Sequence, residues 1–177
     1  MVKFFRTWLL VPLLVVLVWV GVEWYKIPDQ KAGNPAPNFT GYTAMGDSLQ
    51  LSDFEGQWVL LHFWGSWCGP CRQHNHHLPA LYRKYRDQTF QTCKQFSIIS
   101  IGMETNQARW LRAIESDGLH WPHHISDLKR MDDHVAQQYG VREIPATFLI
   151  NPAGEVVAVN ATIQTLDALL TDEQATR

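Results

Sequence analysis

Two cysteines separated by two residues carry the clearest chemical signal in the sequence. Cys68 and Cys71 enclose Gly69-Pro70, directly after the apolar run at residues 58–64 and at the start of a stretch with helical spacing. Cysteines three positions apart in the first turn of a helix have their sulfurs within disulfide reach, and the helix N–H groups and dipole there stabilise a thiolate. The sequence therefore predicts a redox-active dithiol, in which Cys68 attacks a substrate disulfide and Cys71 resolves the mixed disulfide.

A zinc site is the alternative interpretation of this spacing, and it requires a second pair of ligands. His74, His76 and His77 follow the cysteines, and imidazole together with thiolate suits Zn or Cu. A metal-binding or metal-delivery module that uses Cys68, Cys71 and this histidine cluster therefore remains a second hypothesis. The strand, turn and helix pattern around the cysteines favours redox chemistry, for which we expect neither a cofactor nor a bound metal.

Charge and cysteine content limit the other classes of protein. The 177 residues include 15 Lys and Arg against 17 Asp and Glu, and a net charge of −2 offers no basic surface for nucleic acid. Three cysteines are too few for a scaffold held together by disulfides. The third, Cys93, is predicted to be either a free thiol or an intermolecular partner.

The elements that must position the dithiol alternate between β-rich runs and helical stretches, which indicates an α/β fold. Gly46-Asp47 predicts the turn of a small hairpin between residues 39–45 and 48–51, and residues 58–64 form an apolar run typical of a central strand. Further strands are predicted at residues 96–103, 146–150 and 155–160, and helices at residues 71–86 with a kink at Pro79, 107–117, 132–139 and 163–170.

The amino-terminal segment is typical of membrane targeting. Residues 8–22 carry no charge and follow Lys3 and Arg6. As a helix, residues 4–25 would span about 33 Å, enough for the hydrocarbon core of a bilayer. A cleaved secretory signal is the alternative, but bulky and charged residues follow Val22 where a signal peptidase requires small ones.

We therefore predict three parts: a membrane anchor at residues 1–25, a linker at residues 26–34 and a globular domain at residues 35–177. Basic residues before the apolar segment favour a cytoplasmic amino terminus. The expected location is a single pass through a bacterial inner membrane, with the soluble domain in the periplasm or otherwise outside the cytoplasmic membrane.

The sequence resembles the thioredoxin superfamily and, within it, the membrane-tethered, extracytoplasmic TlpA/ResA-like thiol–disulfide oxidoreductases. The resemblance covers nearly all of residues 35–170 and implies a thioredoxin fold: a central mixed β-sheet flanked by helices, here with the added amino-terminal hairpin and transmembrane helix. The motifs that carry it are Ala36-Pro37-Asn38-Phe39, Leu51-Ser52-Asp53-Phe54-Glu55-Gly56, FWGSWCGPCR at residues 63–72 and YGVREIPATFLINPAGEV at residues 139–156.

The resemblance also implies how substrates bind. It predicts a cis peptide between Ile144 and Pro145 opposite the dithiol, where an extended substrate pairs with the backbone, and it places Trp67 at the substrate groove. The Gly-Pro dipeptide implies a reductant of disulfide-bearing protein substrates, with apocytochrome c maturation as one candidate process and a membrane thiol reductase as the electron donor. A peroxiredoxin is less consistent with this motif.

Histidines occupy both positions where the family carries a carboxylate. His62 stands six residues before the first cysteine, in place of the buried Asp of thioredoxins, and His74 stands three residues after the second cysteine, in place of a Glu. The hypothesis is that His62 or His74 relays a proton or tunes the dithiol, against the alternative of histidines without a kinetic role. His120, His123 and His124 are predicted to lie in a solvated loop.

Overall fold

The computed structural model describes residues 2–91 and 95–174, without the side chains of residues 2–10 and 23–24. Cys93, and with it the prediction made for its thiol, lies outside the described residues. The helices are α1 (Val2–Lys26), α2 (Gly69–Asn75), α3 (Leu78–Tyr85), α4 (Gln107–Ser116), α5 (His134–Gln138) and α6 (Ile163–Asp172), and the strands are β1 (Thr40–Tyr42), β2 (Ser48–Gln50), β3 (Trp58–Trp64), β4 (Phe96–Gly102), β5 (His124–Ile125), β6 (Ala146–Ile150) and β7 (Val156–Val159).

The five-stranded sheet has the order β5-β4-β3-β6-β7. β3 pairs in parallel with β4, and β4 with β5, whereas β6 is antiparallel to both of its neighbours. β1 and β2 form a separate antiparallel hairpin, in which Thr40 is opposite Gln50. The mixed sheet, its flanking helices and the hairpin confirm these parts of the predicted architecture.

β3 divides the interior into two hydrophobic layers, because successive side chains of a strand point to opposite faces. All seven residues of β3 are buried. Val59, Leu61 and Phe63 pack with the hairpin and α5. Trp58, Leu60 and Trp64 pack with α3, α4 and α6, in the layer that also contains both redox cysteines. His62 lies on the same face of β3 as Trp58, Leu60 and Trp64, and it therefore faces the cysteine layer.

The helices that flank the site begin and end at residues with recognisable roles. α2 and α3 are separate helices, interrupted at His76 and His77, and Pro79 lies in the first turn of α3, where its missing N–H leaves no helix hydrogen bond unmade. Asn106 caps α4 by accepting the Arg109 N–H at 2.9 Å, and the chain leaves α4 through Gly118 at φ +68°, a conformation that glycine adopts without strain.

The loop that follows α4 differs from the prediction of a solvated segment. His120 is exposed, but Trp121 is buried and its Nε1–H donates to the Ser100 hydroxyl at 3.0 Å. His124 belongs to β5, stacks on Trp121 at 5.5 Å between ring centroids and donates from Nε2 to the Leu119 carbonyl at 3.1 Å. The prediction was wrong for His124 because Trp121 anchors the loop in the core through a residue distant in sequence.

α1 coincides with most of the predicted anchor. Its described apolar side chains, at positions between 11 and 22, are exposed, and Pro12 lies inside the helix. Within the described part of the chain, no helix combines the length and the apolar character that crossing a membrane requires.

The segment after α1 lies against the domain. The Arg142 guanidinium donates to the Tyr25 carbonyl and to the Asp29 carboxylate, both at 3.0 Å. Lys26 and Glu143 form an ion pair at 3.6 Å. These contacts connect the predicted linker to the loop that precedes β6.

Candidate active site

Cys68 and Cys71 form a disulfide, with their Cα atoms 5.2 Å apart. Cys68 is the N-cap residue of α2, and its sulfur accepts the Cys71 N–H at 3.2 Å. Cys68 retains 7% exposure, whereas Cys71 is fully buried. The predicted pairing is confirmed, and the two sulfurs have unequal access to solvent.

The loop before β6 and the side chain of Trp67 lie on either side of Cys68. The predicted cis peptide between Ile144 and Pro145 is present, and the Ile144 carbonyl oxygen lies 3.7 Å from the Cys68 sulfur. Trp67 is 39% exposed and donates from Nε1 to the Met103 carbonyl at 2.7 Å. An exposed aromatic ring and a backbone carbonyl thus border the accessible sulfur.

Glu104 is a functional candidate that the sequence analysis missed. Its carboxylate is fully buried, accepts the Ser66 N–H and lies 3.5 Å from the Arg109 guanidinium. Because Ser66 is two residues before Cys68, Glu104 fixes the backbone that leads into the redox pair. The available signal was a single acidic residue directly after the apolar run of β4, at the strand end where sites in α/β sheets form.

Asp117, directly after α4, holds α2 in place through hydrogen bonds to two of its side chains. Its buried carboxylate accepts two hydrogen bonds from Arg72, both at 2.6 Å, and one from the Asn75 amide at 2.7 Å. Paired hydrogen bonds between guanidinium and carboxylate restrict orientation as well as distance. The helix that carries Cys71 is therefore joined to the end of α4 by charge-assisted contacts.

The structure brings His62 and His74 together within the cysteine layer. His62 is fully buried, its Nδ1 lies 3.3 Å from the Ser100 hydroxyl, and its ring centroid is 5.6 Å from that of His74. His62 Nε2 and His74 Nδ1 are both buried without a hydrogen-bond partner in the described part of the chain. Each of these two neighbouring imidazoles therefore has one buried nitrogen with unused hydrogen-bonding capacity.

Burial keeps these imidazoles neutral. Desolvation lowers the pKa of His62 well below its ordinary value, and repulsion from His74 and His124 lowers it further. The pKa of His74 is lowered by burial and then by His77. At neutral pH both imidazoles are therefore uncharged.

The metal-binding hypothesis receives no geometric support at the cysteines. Among the described residues, the group of side chains close enough together to share an ion comprises Asp127, Asp133 and His134, remote in sequence from the dithiol. His76 and His77, which that hypothesis uses, are exposed at the break between α2 and α3. The structure does not gather them with the sulfurs.

Comparisons with known proteins agree with this geometry. The AhpC/TSA family matches residues 32–159. Thiol–disulfide oxidoreductase ResA of Halalkalibacterium halodurans is 32% identical over 161 residues, which cover 88% of this chain and 86% of that protein. ResA of Bacillus subtilis is 32% identical over 127 residues, which cover 72% of this chain and 65% of that protein. The thioredoxin domain of a thiol–disulfide oxidoreductase from Bacteroides vulgatus matches with a TM-score of 0.72 and 26% identity, over 83% of this chain and 100% of that structure.

A mixed sheet that carries a Cys-Gly-Pro-Cys disulfide at the start of a helix, opposite a cis-proline loop, defines a thiol–disulfide oxidoreductase of thioredoxin fold. The chain belongs to the AhpC/TSA family. Its sequence relatives named ResA carry the same class of activity in their names.

Proposed function

We propose that the chain reduces disulfides in proteins outside the cytoplasmic membrane, with Cys68 as the attacking thiolate and Cys71 as the resolving thiol. The observation that carries this proposal is the unequal position of the two sulfurs. Cys68 lies at the edge of the protein beside the exposed ring of Trp67, whereas Cys71 is fully enclosed. A substrate sulfur therefore has access to Cys68 first.

The reaction then proceeds by two exchanges. The Cys68 thiolate, stabilised by the Cys71 N–H, attacks one sulfur of the substrate disulfide and releases the other as a thiolate. Cys71 loses its proton and attacks the Cys68 sulfur of the mixed disulfide, which closes the Cys68–Cys71 bond and releases the second substrate sulfur. Two electrons pass from the dithiol to the substrate, and the protons of the dithiol balance the two substrate thiols that form.

The proton of Cys71 passes to the pair formed by His62 and His74. His74 follows Cys71 by three residues on α2, so the two side chains lie one helical turn apart. Trp121 already donates to the Ser100 oxygen, so the Ser100 hydroxyl proton is available to His62 Nδ1. This arrangement favours the neutral His62 tautomer that carries its proton on Nε2, and a water between the rings would then connect His62 to His74.

Substrates bind across Trp67, Ile144 and Pro145. The carbonyl of Ile144 is available to an extended peptide beside Cys68, and the indole offers an apolar surface. Disulfide-bearing extracytoplasmic proteins are the proposed substrate class, with apocytochrome c as one candidate. A membrane thiol reductase, a dithiol donor, would return the oxidised protein to the dithiol state.

Residues 1–25 serve as the membrane anchor in this proposal, and residues 35–177 as the catalytic domain on the outer side. The exposure of the apolar side chains described in α1 supports this assignment, because such a surface is stabilised by lipid and not by water. The 25 residues of α1 correspond to a length of about 37 Å.

The test is to trap the mixed disulfide in cells that express the full chain. In a Cys93→Ser background, which removes the third thiol, Cys71→Ser should accumulate adducts on Cys68 that dithiothreitol releases, and Cys68→Ser should not. The adducts should sediment with membranes, and mass spectrometry identifies the trapped proteins. Adducts recovered only from Cys68→Ser would overturn the assigned roles, and their absence from both variants would overturn the proposed function.

A further inference from the structure

An arginine lies against the exposed aromatic ring beside the attacking sulfur. The Arg130 guanidinium carbon is 4.4 Å from the centroid of the Trp67 ring, and Trp67 directly precedes Cys68. Trp67 is itself fixed by its hydrogen bond to the Met103 carbonyl. The guanidinium therefore has a defined position at the edge of the surface where a substrate disulfide must approach.

The backbone places Arg130 there at some conformational cost. Its N–H donates to the Glu104 carbonyl at 3.1 Å, and its φ is +56°, in the left-handed region that glycine and asparagine adopt more readily. Leu128, two residues earlier, also has a positive φ of 60°. The chain thus turns sharply on both sides of Lys129 and presents Arg130 to the Trp67 ring.

The charge of Arg130 is not neutralised within the described part of the chain. No carboxylate there pairs with it, whereas Arg109 pairs with Glu104 at 3.5 Å. Cation–π contact leaves the N–H edges of a guanidinium available, and these edges match a carboxylate in a bidentate manner. Arg130 is therefore an available anion-binding group next to Cys68.

On the other side of the disulfide, the two described charged residues next to the cis peptide are already paired. Arg142 and Glu143 precede the cis peptide. Arg142 pairs with Asp29, and Glu143 pairs with Lys26. Their opposite charges cancel locally. The unpaired charge of Arg130, beside Trp67, therefore favours negatively charged substrates at the redox surface.

We propose that Arg130, held over Trp67, selects substrates that carry an acidic residue next to the disulfide under attack. This inference rests on the proposed function, because it names a substrate class for the same site. The expected preference is modest, since Arg130 is exposed and ion pairs of exposed groups contribute little each.

The test measures the rate at which the reduced full chain, in mild detergent, reduces synthetic peptides with one internal disulfide. Three peptides differ only in the two residues that flank the attacked cysteine, which are both Glu, both Ala or both Lys. At low salt the wild-type chain should reduce the Glu peptide about fivefold faster than the Lys peptide, and 0.5 M salt should remove most of that ratio.

Substitution at position 130 decides whether this arginine is responsible. Arg130→Gln should bring the ratio of Glu to Lys rates close to one, and Arg130→Lys should retain part of it. Arg83→Gln, an exposed arginine near the end of α3, serves as the matched control and should keep the wild-type ratio. A wild-type ratio near one, or an undiminished ratio in Arg130→Gln, overturns the inference while leaving the proposed function intact. Failure of the wild-type chain to reduce even the Ala peptide overturns both.

Discussion

The burial of His124 predicts a loss of stability in mild acid. Desolvation lowers its pKa from 6.5 to about 4 in the folded protein, although hydrogen bonds to the backbone, including that to Leu119, act in the opposite direction. Between these two values the unfolded chain binds a proton that the folded chain does not. The contribution of His124 to the free energy of unfolding is therefore fully present above about pH 6.5 and decreases as the pH falls towards 4.

The two pKa values give the magnitude. Proton linkage at this single site lowers the free energy of unfolding by about 2 kcal/mol between pH 7 and pH 5. His124→Gln removes the titrating group but retains an amide that can donate to the Leu119 carbonyl. The variant should be less stable than wild type at pH 7, because it loses the stacking on Trp121, but its stability should depend less on pH.

The assay is urea denaturation of the oxidised full chain in mild detergent, followed by circular dichroism at pH 7 and pH 5. Between pH 7 and pH 5, the free energy of unfolding should decrease by about 2 kcal/mol more in wild type than in His124→Gln. His120→Gln changes an exposed histidine of the same segment and should retain the wild-type loss. Equal losses in wild type and His124→Gln would refute the reasoning, since they would mean that His124 is protonated as readily in the folded state as in the unfolded state.

Two further substitutions test the contacts of α2. His74→Ala should slow the attack of Cys71 on a mixed disulfide by roughly tenfold at pH 7, because the proposed relay loses a proton acceptor. His76→Ala, at the exposed end of the helix, should keep the wild-type rate. Equal single-turnover rates for wild type and His74→Ala, measured by quenched flow, would exclude the relay. Asp117→Ala should lower the free energy of unfolding by about 3 kcal/mol, because it leaves Arg72 without its buried carboxylate, and a loss below about 1 kcal/mol in urea denaturation would contradict that role.

Local sequence signals predicted the parts of the fold that depend on local chemistry. The Gly46-Asp47 turn located the hairpin, the apolar run located β3, and residues 146–150 were predicted as a strand with the same ends that the structure shows. The cysteine spacing and its position after a strand predicted the Cys68–Cys71 disulfide.

The features that escaped prediction depend on partners distant in sequence. The burial of Glu104 follows from its contact with the loop before Cys68, and the burial of His124 follows from the hydrogen bond between Trp121 and Ser100. No spacing within the sequence indicates either contact. Such contacts arise only when β3, β4 and the loop after α4 are assembled side by side.

In the proposed anchored arrangement, the contacts of Arg142 and Glu143 limit how the redox domain moves relative to α1. Nine linker residues without contacts to the domain would allow a displacement of roughly 15 Å between the domain and the end of α1. Arg142 instead contacts Tyr25 and Asp29, and Glu143 contacts Lys26, so these contacts restrict that movement. A partner must then meet Cys68 from a restricted set of directions, so productive encounters depend on mutual orientation more than on reach.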